Sequence, residues 1–380
     1  MTRNAEPLRV VVVGGGFAAA EAVLALRAYA GDRVEIEIVS RDAELPLRPA
    51  ATAAAFDHRP VQSVPLAELA RDTGAGLLHD RLEAVAPAAR RIRLASGAQR
   101  SYDALVLATG ARARTAVPGA LTFRDQRDAG QVHRVLEDLR AGLVQSLAVA
   151  VPAGVSWSVP AYELALLLAA EVERLGLFTP VALVTPERAP LEVFGPAASA
   201  FVAGALADRE VLALCGAVPR DVDRRGLRLA DGATVAADRV IALPALVGQR
   251  LAGVPPDFSG FVPTRAFGRV DGAPDVYAAG DMTSFPVKQG GVAAQQADAI
   301  AAVLARRAGA DVPLPSPTSV LRTQLFGLPE PAFLEATLDG AGRPIAGTSR
   351  VHADSPWWPS GTLFGRHVSA WMAERALIAA

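Results

Sequence analysis

The chain has 380 residues, of which 51% are hydrophobic and 20% are charged, so it is long enough for two or three domains and is not disordered. The formal net charge of −1 gives no electrostatic reason to expect binding to nucleic acid. The single cysteine, Cys215, excludes an intrachain disulfide, and the five histidines are scattered without metal-ligand spacing. We therefore expect neither a disulfide nor a metal site.

The N-terminal region places two arginines before an apolar run, as a signal peptide does. That run is better used as a first strand, because a glycine turn lies directly within it. No run approaches the roughly 18 apolar residues of a membrane-spanning helix. We expect a cytoplasmic protein that is soluble or bound peripherally to a membrane.

Residues 9–21 carry the first chemical signal. A β-branched run is followed by three glycines and an alanine-rich segment, which together match the dinucleotide fingerprint G-x-G-x-x-A. Gly14 would make the tight turn, Gly16 would let the backbone reach a pyrophosphate, and Ala19 would allow close helix packing. Free N–H groups at the helix start would bind the pyrophosphate. The same glycines also suit a tight turn without a ligand.

The second strand is predicted at residues 33–40 from its alternating pattern. In dinucleotide-binding folds an acidic residue that binds the adenosine ribose usually closes this strand. Ser40 stands there instead, with Asp42 two residues later. We expect a weaker or shifted ribose contact, which counts against NAD. The following loop carries Arg48, either toward phosphate or flavin or as an ordinary surface arginine.

Two further strand ends follow the fingerprint in order. Residues 77–94 indicate two short strands, and residues 102–111 a buried strand that ends in Ala108, Thr109 and Gly110. Much later, a strand ends in Gly280 and Asp281, and a loop at 286–291 then leads into an alanine-rich helix. These elements are typical of one group of flavoproteins.

On these motifs the chain resembles the FAD-dependent pyridine nucleotide–disulfide oxidoreductase superfamily over nearly its whole length. It is most similar to sulfide:quinone oxidoreductases, flavocytochrome c sulfide dehydrogenases and type II NADH dehydrogenases. The resemblance implies an α/β fold of two Rossmann-like dinucleotide-binding domains, each three-layered around a parallel central sheet, plus a small C-terminal α+β segment. We expect a discontinuous FAD domain at 1–118 and 245–311, a second NAD-domain-like unit at 119–244, and an interface or capping segment at 312–380.

The resemblance also implies non-covalent FAD and a set of residues that contact it. The Asp281 carboxylate would accept hydrogen bonds from the ribityl hydroxyls, and Gly280 would let the backbone approach the diphosphate. The expected cofactor contacts are Gly14, Gly16, Phe17, Ala18, Ser40, Arg41, Arg48, Val85, Ala108, Thr109, Gly110, Gly280, Asp281, Lys288, Gln289, Gly290 and Gly291.

Lys288 is the only lysine among 38 basic residues, and it stands in the loop expected at the flavin. An ammonium group is a compact point charge, which a planar guanidinium is not. We hypothesise that Lys288 lies near flavin N1/C2=O or N5 and stabilises the anionic reduced ring. The alternative is a lysine that is on the surface by chance.

The middle of the chain predicts a strand at 146–152, a helix at 162–175, a strand at 181–184 and a hairpin with a returning strand at 226–243. NADH-using relatives carry a glycine fingerprint in the first turn here. This chain has two prolines, a tryptophan and one glycine at 151–160. We therefore do not expect NAD(P)H to bind in the usual mode.

In sulfide-oxidising relatives the same loop resembles Cys-x-x-x-Pro-Tyr-Glu. When Tyr162 and Glu163 are aligned with the Tyr-Glu of that motif, Trp157 aligns with the redox cysteine. Cys215, within a strand predicted at 211–215, is expected to be a small buried hydrophobe. Neither sulfide oxidation nor disulfide reduction is therefore expected. Trp157 is expected to line the open face of the flavin, or alternatively to fill a gap between domains.

The C-terminal segment follows a proline-rich stretch at 312–317. Strands are predicted at 318–326 and 332–338, and a helix at 363–379 comes after two tryptophans. Quinone-reducing relatives often bind membranes through amphipathic ends. The polar face of this helix is thin, so we expect it to pack against the protein or a second subunit, with membrane contact as the alternative.

Three functions remain open from the sequence. The first is an oxidoreductase that passes two electrons from an unidentified small donor through FAD to a quinone or another acceptor. The second is a relative of type II NADH dehydrogenases that binds NAD(P)H through a non-standard loop. The third is a flavin-bearing binding or partner protein with little turnover of its own.

Overall fold

The computed structural model describes residues 6–46, 51–57, 62–155, 157–316, 318–358 and 365–375. Residues up to 114 form strands and helices in the following order: β1 (Leu8–Val13), α1 (Phe17–Ala30), β2 (Val34–Ser40), β3 (Glu44–Pro46), α2 (Ala51–Asp57), β4 (Ser63–Pro65), α3 (Leu66–Thr73), β5 (Gly76–His79), β6 (Leu82–Ala86), β7 (Arg91–Leu94), β8 (Gln99–Ser101), β9 (Ala104–Leu107) and β10 (Arg112–Arg114).

The middle of the chain continues with a second series of elements: β11 (Leu121–Thr122), α4 (Ala129–Arg140), β12 (Leu147–Ala150), α5 (Val159–Arg174), β13 (Val181–Val184), α6 (Pro196–Asp208), β14 (Leu212–Leu214), β15 (Pro219–Asp223), β16 (Gly226–Leu229), β17 (Thr234–Val235) and β18 (Arg239–Ala242). The last elements are β19 (Ala245–Val247), β20 (Val276–Ala278), α7 (Gly290–Arg307), β21 (Ser319–Leu325), β22 (Ala332–Leu338), β23 (Arg350–His352) and α8 (Val368–Ala373).

The first parallel sheet has the strand order β20-β9-β1-β2-β5. The valines of β1 are buried on both faces of the sheet, which explains their continuous β-branched run. Helices α1 and α7 pack side by side on one face. The antiparallel meander β6-β7-β8 contributes Ile92 and Leu94 to the core on the other face. This arrangement gives the three layers expected of a Rossmann-like domain.

The second parallel sheet has the order β11-β18-β12-β13-β14. Its faces are covered by α4 and α5 on one side and by the antiparallel meander β15-β16-β17 on the other. The predicted α/β class with two Rossmann-like domains is therefore confirmed. The domain boundaries remain a prediction. Helix α2 packs against α4 and α5 although it lies within the first predicted domain range.

Two local predictions need correction. Helix α5 begins at Val159, earlier than expected, because Pro160 suits the first turn of a helix and does not interrupt it. Strand β14 ends at Leu214, so Cys215 lies just beyond the strand and is half-buried, not a fully buried hydrophobe. Burial and the charges of Glu187 and Glu192 raise the pKa of its thiol, which disfavours a reactive thiolate.

The C-terminal segment forms the antiparallel sheet β21-β22-β23, and the strands predicted at 318–326 and 332–338 are confirmed within one residue. The side-chain amide of Gln295 on α7 pairs with both backbone groups of Val320, each at 2.8 Å. The apolar residues of α8, including Trp371, are buried against the core that contains α1. The described part of the predicted C-terminal helix therefore packs against the protein. Among the described residues, no helix has the length and apolar character needed to cross a bilayer.

Candidate active site

A cavity of about 1650 Å³ lies where the carboxyl ends of β1, β2, β9 and β20 meet the starts of α1 and α7. Ligands in α/β folds bind at this edge of a parallel sheet. The cavity extends to the segments that follow β11, β12 and β18 of the second sheet. We call this part the second compartment, and it is lined by Phe123, Val155, Trp157, Glu163 and Leu243. Pockets that hold one small molecule usually measure about 300–1,000 Å³, so this cavity has space for a dinucleotide and a further ligand.

The glycine turn after β1 is fixed by crowding at two of its three positions. Gly14 has φ +142°, and a Cβ there would lie 2.2 Å from the carbonyl oxygen of Ala108. A Cβ on Gly15 would lie 2.6 Å from Ser40 Oγ. Gly16 has an ordinary extended backbone, and a Cβ added to it would have no neighbour within 4 Å. No contact within the described protein demands glycine at position 16, which favours a ligand that approaches its backbone.

Two helix N-termini converge on the cavity because Gly280 has no side chain. Its φ is +76°, and an added Cβ would meet Ala293 Cβ at 3.2 Å and Ala18 Cβ at 3.3 Å. The starts of α1 and α7 can therefore approach the same point, and both present free N–H groups and a positive dipole end. At the start of α7, Gln289 Oε1 accepts the Val292 N–H at 2.8 Å. This arrangement fits a diphosphate.

Ser40 does not offer a free side chain to the cavity. Its hydroxyl donates to the carbonyl oxygen of Asp42 at 2.8 Å and accepts the Asp42 N–H at 3.1 Å. Arg41 is exposed on the cavity rim and pairs with the Asp42 carboxylate at 3.3 Å. The weaker or shifted ribose contact at this strand end stays a prediction.

Val85 is a predicted cofactor contact that does not line the cavity. Its side chain is buried in the core behind the first sheet and does not line the cavity. The loop at 252–253 packs on its backbone, and the Val85 N–H donates to the carbonyl oxygen of Ala252 at 2.8 Å. The cavity is lined instead by Arg81, which precedes the strand, and by Leu82 and Glu83 at its start.

Most other predicted cofactor contacts meet at the cavity. Its lining includes Gly14, Gly16, Phe17, Ala18, Ser40, Arg41, Ala108, Thr109, Gly110, Gly280, Asp281, Lys288, Gln289, Gly290 and Trp157. Gly291 does not line it, because it lies one residue further into α7 and is buried. Arg48 lies outside the described residues. Gln249 was missed by the sequence analysis: its amide donates to the carbonyl oxygen of Thr109 at 3.1 Å.

Lys288 is held by two contacts, a hydrogen bond and a cation–π interaction. Its ammonium donates to the carbonyl oxygen of Thr283 and lies 3.9 Å from the centroid of the Phe261 ring. Burial lowers the pKa of Lys288 to about 8, although the charges of Asp281 and Asp257 oppose that change. The amine is therefore mainly charged at neutral pH and loses its proton a little above it. Phe261 was not found from the sequence, because it lies far from Lys288 along the chain.

The second compartment combines an aromatic wall with a buried carboxyl group. Trp157 lines it and packs against Phe194 with 6.0 Å between ring centroids. Glu163 on α5 is 3% exposed and accepts the Thr52 hydroxyl at 2.6 Å. Burial raises the pKa of Glu163 to about 8, so this carboxyl group holds its proton at neutral pH. The compartment therefore offers a neutral hydrogen-bonding acid beside apolar walls.

At the second sheet, an acidic side chain already occupies the start of α5. Glu187 follows β13, where a dinucleotide-binding domain would place its ribose-binding acid. Its carboxylate accepts hydrogen bonds from Ser158, the residue before α5, at 2.9 Å, from Tyr162 at 2.8 Å and from Thr185 at 2.9 Å. These donors take most of the roughly four acceptor positions of the carboxylate. Burial raises the pKa of Glu187, although the hydrogen bonds from the three hydroxyl groups oppose this shift. An acidic side chain that is already hydrogen-bonded therefore occupies the helix end where a second pyrophosphate would bind.

Comparison with known proteins agrees with this geometry. The pyridine nucleotide-disulphide oxidoreductase family matches residues 8–299. A sulfide-quinone reductase of Aquifex aeolicus is 30% identical over 186 residues, which are 47% of this chain and only 43% of that relative. An NADH dehydrogenase-like protein of Mycobacterium tuberculosis is 29% identical over 294 residues, or 73% of each chain.

A solved sulfide:quinone oxidoreductase from the hyperthermophilic bacterium Aquifex aeolicus has the same fold. It superposes with a TM-score of 0.79 over 91% of this chain and 86% of that chain, at 21% identity. The resemblance found from the sequence motifs is confirmed, since the family match covers most of the chain. The chain belongs to the pyridine nucleotide-disulphide oxidoreductase family of FAD-dependent oxidoreductases.

Proposed function

We propose that the protein holds FAD non-covalently and passes two electrons from a small-molecule donor to a quinone or another acceptor, without a cysteine redox centre. The observation that carries this proposal is the convergence, in one cavity, of three motifs far apart in the sequence. These are the turn at Gly14 to Gly16, the strand end at Thr109 and Gly110, and the strand end at Gly280 and Asp281.

The residues of the cavity fit this cofactor. The open space at Gly16 and the two helix starts suit a diphosphate, and the Asp281 carboxylate at the cavity wall suits ribityl hydroxyls. When bound, FAD would supply the two-electron redox chemistry. The ammonium of Lys288 would then face negative charge on the ring, held in place by Phe261 and the carbonyl of Thr283.

The second compartment supports a donor or acceptor that is at least partly apolar. Trp157, Phe123 and Leu243 supply apolar contact area, and the protonated carboxyl group of Glu163 can donate a hydrogen bond or a proton to a bound ligand. A quinone has this combination of a flat apolar ring and acceptor oxygens. The name of the sulfide-quinone reductase relative also supports a quinone acceptor.

Cysteine chemistry is not part of the proposal. Trp157 stands where the sulfide-oxidising relatives are expected to carry a redox cysteine, and its ring packs against Phe194. Cys215 lies beside Glu187, whose charge helps to keep its thiol protonated. The chain has no further cysteine.

Direct use of NAD(P)H is the second candidate, which the NADH dehydrogenase-like relative favours. The hydrogen bonds that Glu187 accepts from Ser158 and Tyr162 argue against it, because its acidic side chain already occupies the start of α5, where a pyrophosphate would bind. We also propose that the protein is cytoplasmic. We further propose that the C-terminal segment is the surface to which a second subunit or a membrane would bind.

An anaerobic reduction screen tests the proposal. Purified holoprotein is mixed with NADH, NADPH, sulfide and a panel of organic reductants, and bleaching of the flavin absorption band is followed. Decylubiquinone is then added to the reduced protein. We expect at least one organic donor to bleach the band within seconds and the quinone to restore it. Rapid bleaching by NADH would instead support the second candidate, and a flavin that only dithionite reduces would support a binding protein with little turnover.

A further inference from the structure

A polar cluster joins the C-terminal segment to the first Rossmann-like domain. Glu21 lies on α1, Asp298 lies on α7, and His367 directly precedes α8. None of the three residues lines the cavity described above. Glu21 is fully buried, and the side chains of Asp298 and His367 are 13% and 19% exposed. The cluster is therefore shielded from bulk water.

The geometry of this cluster suits a metal ion better than a hydrogen bond. One ligand atom from each residue lies within 4.8 Å of the other two. His367 Nε2 lies 3.5 Å from Asp298 Oδ1, is shielded from solvent and makes no hydrogen bond. Two ligands of a tetrahedral zinc ion, each bound at about 2.1 Å, are about 3.4 Å apart. The imidazole nitrogen is thus shielded from solvent and lies at ion-pair distance from a carboxylate, a separation that also suits two ligands of one metal ion.

The two carboxylates are held by hydrogen bonds from neighbouring groups. The Tyr29 hydroxyl donates to Asp298 Oδ1 at 2.6 Å. The His367 N–H donates to Glu21 Oε1 at 2.9 Å, and the Val368 N–H donates to Glu21 Oε2 at 2.7 Å. Metal-ligating carboxylates are usually held in this way, and each still has lone pairs free for a cation.

The charges of the cluster also favour a cation. Two carboxylates and one imidazole nitrogen lie close together in a site that is largely shielded from solvent. The nearest arginine, Arg366, donates to the Tyr29 hydroxyl at 3.2 Å. A divalent cation bound with a neutral imidazole would balance both carboxylates.

We propose that Glu21, Asp298 and His367 bind one divalent transition-metal ion, with zinc as the best match, and that this ion fixes the C-terminal segment to α1 and α7. Mixed carboxylate and imidazole ligands suit zinc, and three protein ligands leave one tetrahedral position for water. The sequence expectation of no metal site is revised by this proposal, because it considered only local histidine spacing. The site does not depend on the proposed redox function.

The test uses the full-length holoprotein after metal is removed with a chelator and the chelator is dialysed away. Zinc chloride alone is titrated by calorimetry, and bound zinc is counted by mass spectrometry. We expect one zinc ion per chain and a higher thermal midpoint in its presence. His367→Asn should weaken zinc binding by at least about tenfold, as loss of a ligand or of its support does.

His352→Asn is the matched control, since His352 also has a buried Nε2 without a hydrogen bond but belongs to no such cluster among the described residues. Flavin content is measured in every variant to exclude a general loss of folding. The proposal is overturned if the wild-type chain binds no stoichiometric zinc, or if His367→Asn and His352→Asn bind zinc as the wild type does. It is equally overturned if His367→Asn lowers stability by the same amount with and without zinc.

Discussion

The Lys288 ammonium lies 3.9 Å from the centroid of the Phe261 ring, at the wall of the cavity that we assign to FAD. A cation over an aromatic face is stabilised by the ring quadrupole, and the carbonyl of Thr283 adds a hydrogen bond. These contacts hold the only lysine of the chain in a partly buried position without a close ion pair among the described residues. Because Lys288 also lines the cavity, its charge lies close to a ligand bound there.

Lys288→Met should lower the reduction potential of the bound flavin while leaving the flavin bound. Loss of the ammonium removes stabilisation of negative charge, and we expect a decrease of about 30 mV or more, which is about 1.4 kcal/mol for two electrons. The difference between variant and wild type should be largest below pH 8 and shrink above it, because the pKa of Lys288 is about 8. Spectroelectrochemical titration measures the potential.

Arg112→Met, which removes an exposed charge from the cavity rim, is the control. An unchanged potential in Lys288→Met would remove the assigned role.

Gly14→Ala and Gly16→Ala should behave in opposite ways. A Cβ at position 14 meets the Ala108 carbonyl at 2.2 Å and requires φ +142°, so we expect a loss of about 3 kcal/mol or more in the free energy of unfolding. A Cβ at position 16 meets no described atom, and the apoprotein should gain about 0.5 kcal/mol through the unfolded state.

Gly16→Ala should nonetheless bind FAD at least about tenfold more weakly, since the Cβ would stand where the diphosphate approaches the backbone. Denaturant unfolding of the apoprotein and fluorescence titration with FAD separate the two effects. Equal FAD affinity in Gly16→Ala and wild type would contradict the placement of the diphosphate at this turn.

Glu163→Gln should change how stability depends on pH. The pKa of Glu163 is raised from 4.5 to about 8 by burial. Between these pH values the folded protein keeps a proton that the unfolded chain releases, so the free energy of unfolding falls as pH rises from about 5 to 8. In the glutamine variant the side chain cannot titrate, so the free energy of unfolding should decrease less between about pH 5 and 8. The variant should still accept a hydrogen bond from Thr52. Urea unfolding of both proteins at several pH values measures this free energy. Identical pH profiles for the wild type and Glu163→Gln would show that Glu163 does not titrate in this range.

NADH should fail to reduce the wild-type flavin rapidly. The Glu187 carboxylate is bonded to Ser158 and Tyr162 at the start of α5, where a dinucleotide pyrophosphate would otherwise bind. Stopped-flow mixing under anaerobic conditions measures the rate, with dithionite as the positive control. Full reduction by NADH within milliseconds would show that the nucleotide binds despite this network.

Motifs local in sequence predicted most of the segments that meet at the cavity. The glycine turn, the strand ends at Thr109 and Gly280, and Lys288 all reach the cavity, because parallel strands end at one edge of their sheet. Val85 does not line the cavity, because strand β6 is irregular between Leu82 and Ala84 and a distant loop covers Val85. No local pattern reports either feature.

Residues that act through tertiary contacts were not predicted. Gln249 reaches the Thr109 carbonyl, and Phe261 reaches Lys288, only after the chain returns to the first sheet. The same holds for the hydrogen bonds of Glu187 and for the cluster around His367, whose members come from α1, α7 and the C-terminal segment. Such contacts depend on how the elements pack, which residue spacing does not encode.

The flavin content of the purified protein tests the central claim most directly. The protein is expressed with ample riboflavin, its absorption spectrum is recorded, and the cofactor released by heat or acid is identified and counted. We expect a yellow protein with about one FAD per chain, released intact because no covalent bond holds it. A colourless protein that also fails to take up added FAD would contradict the account.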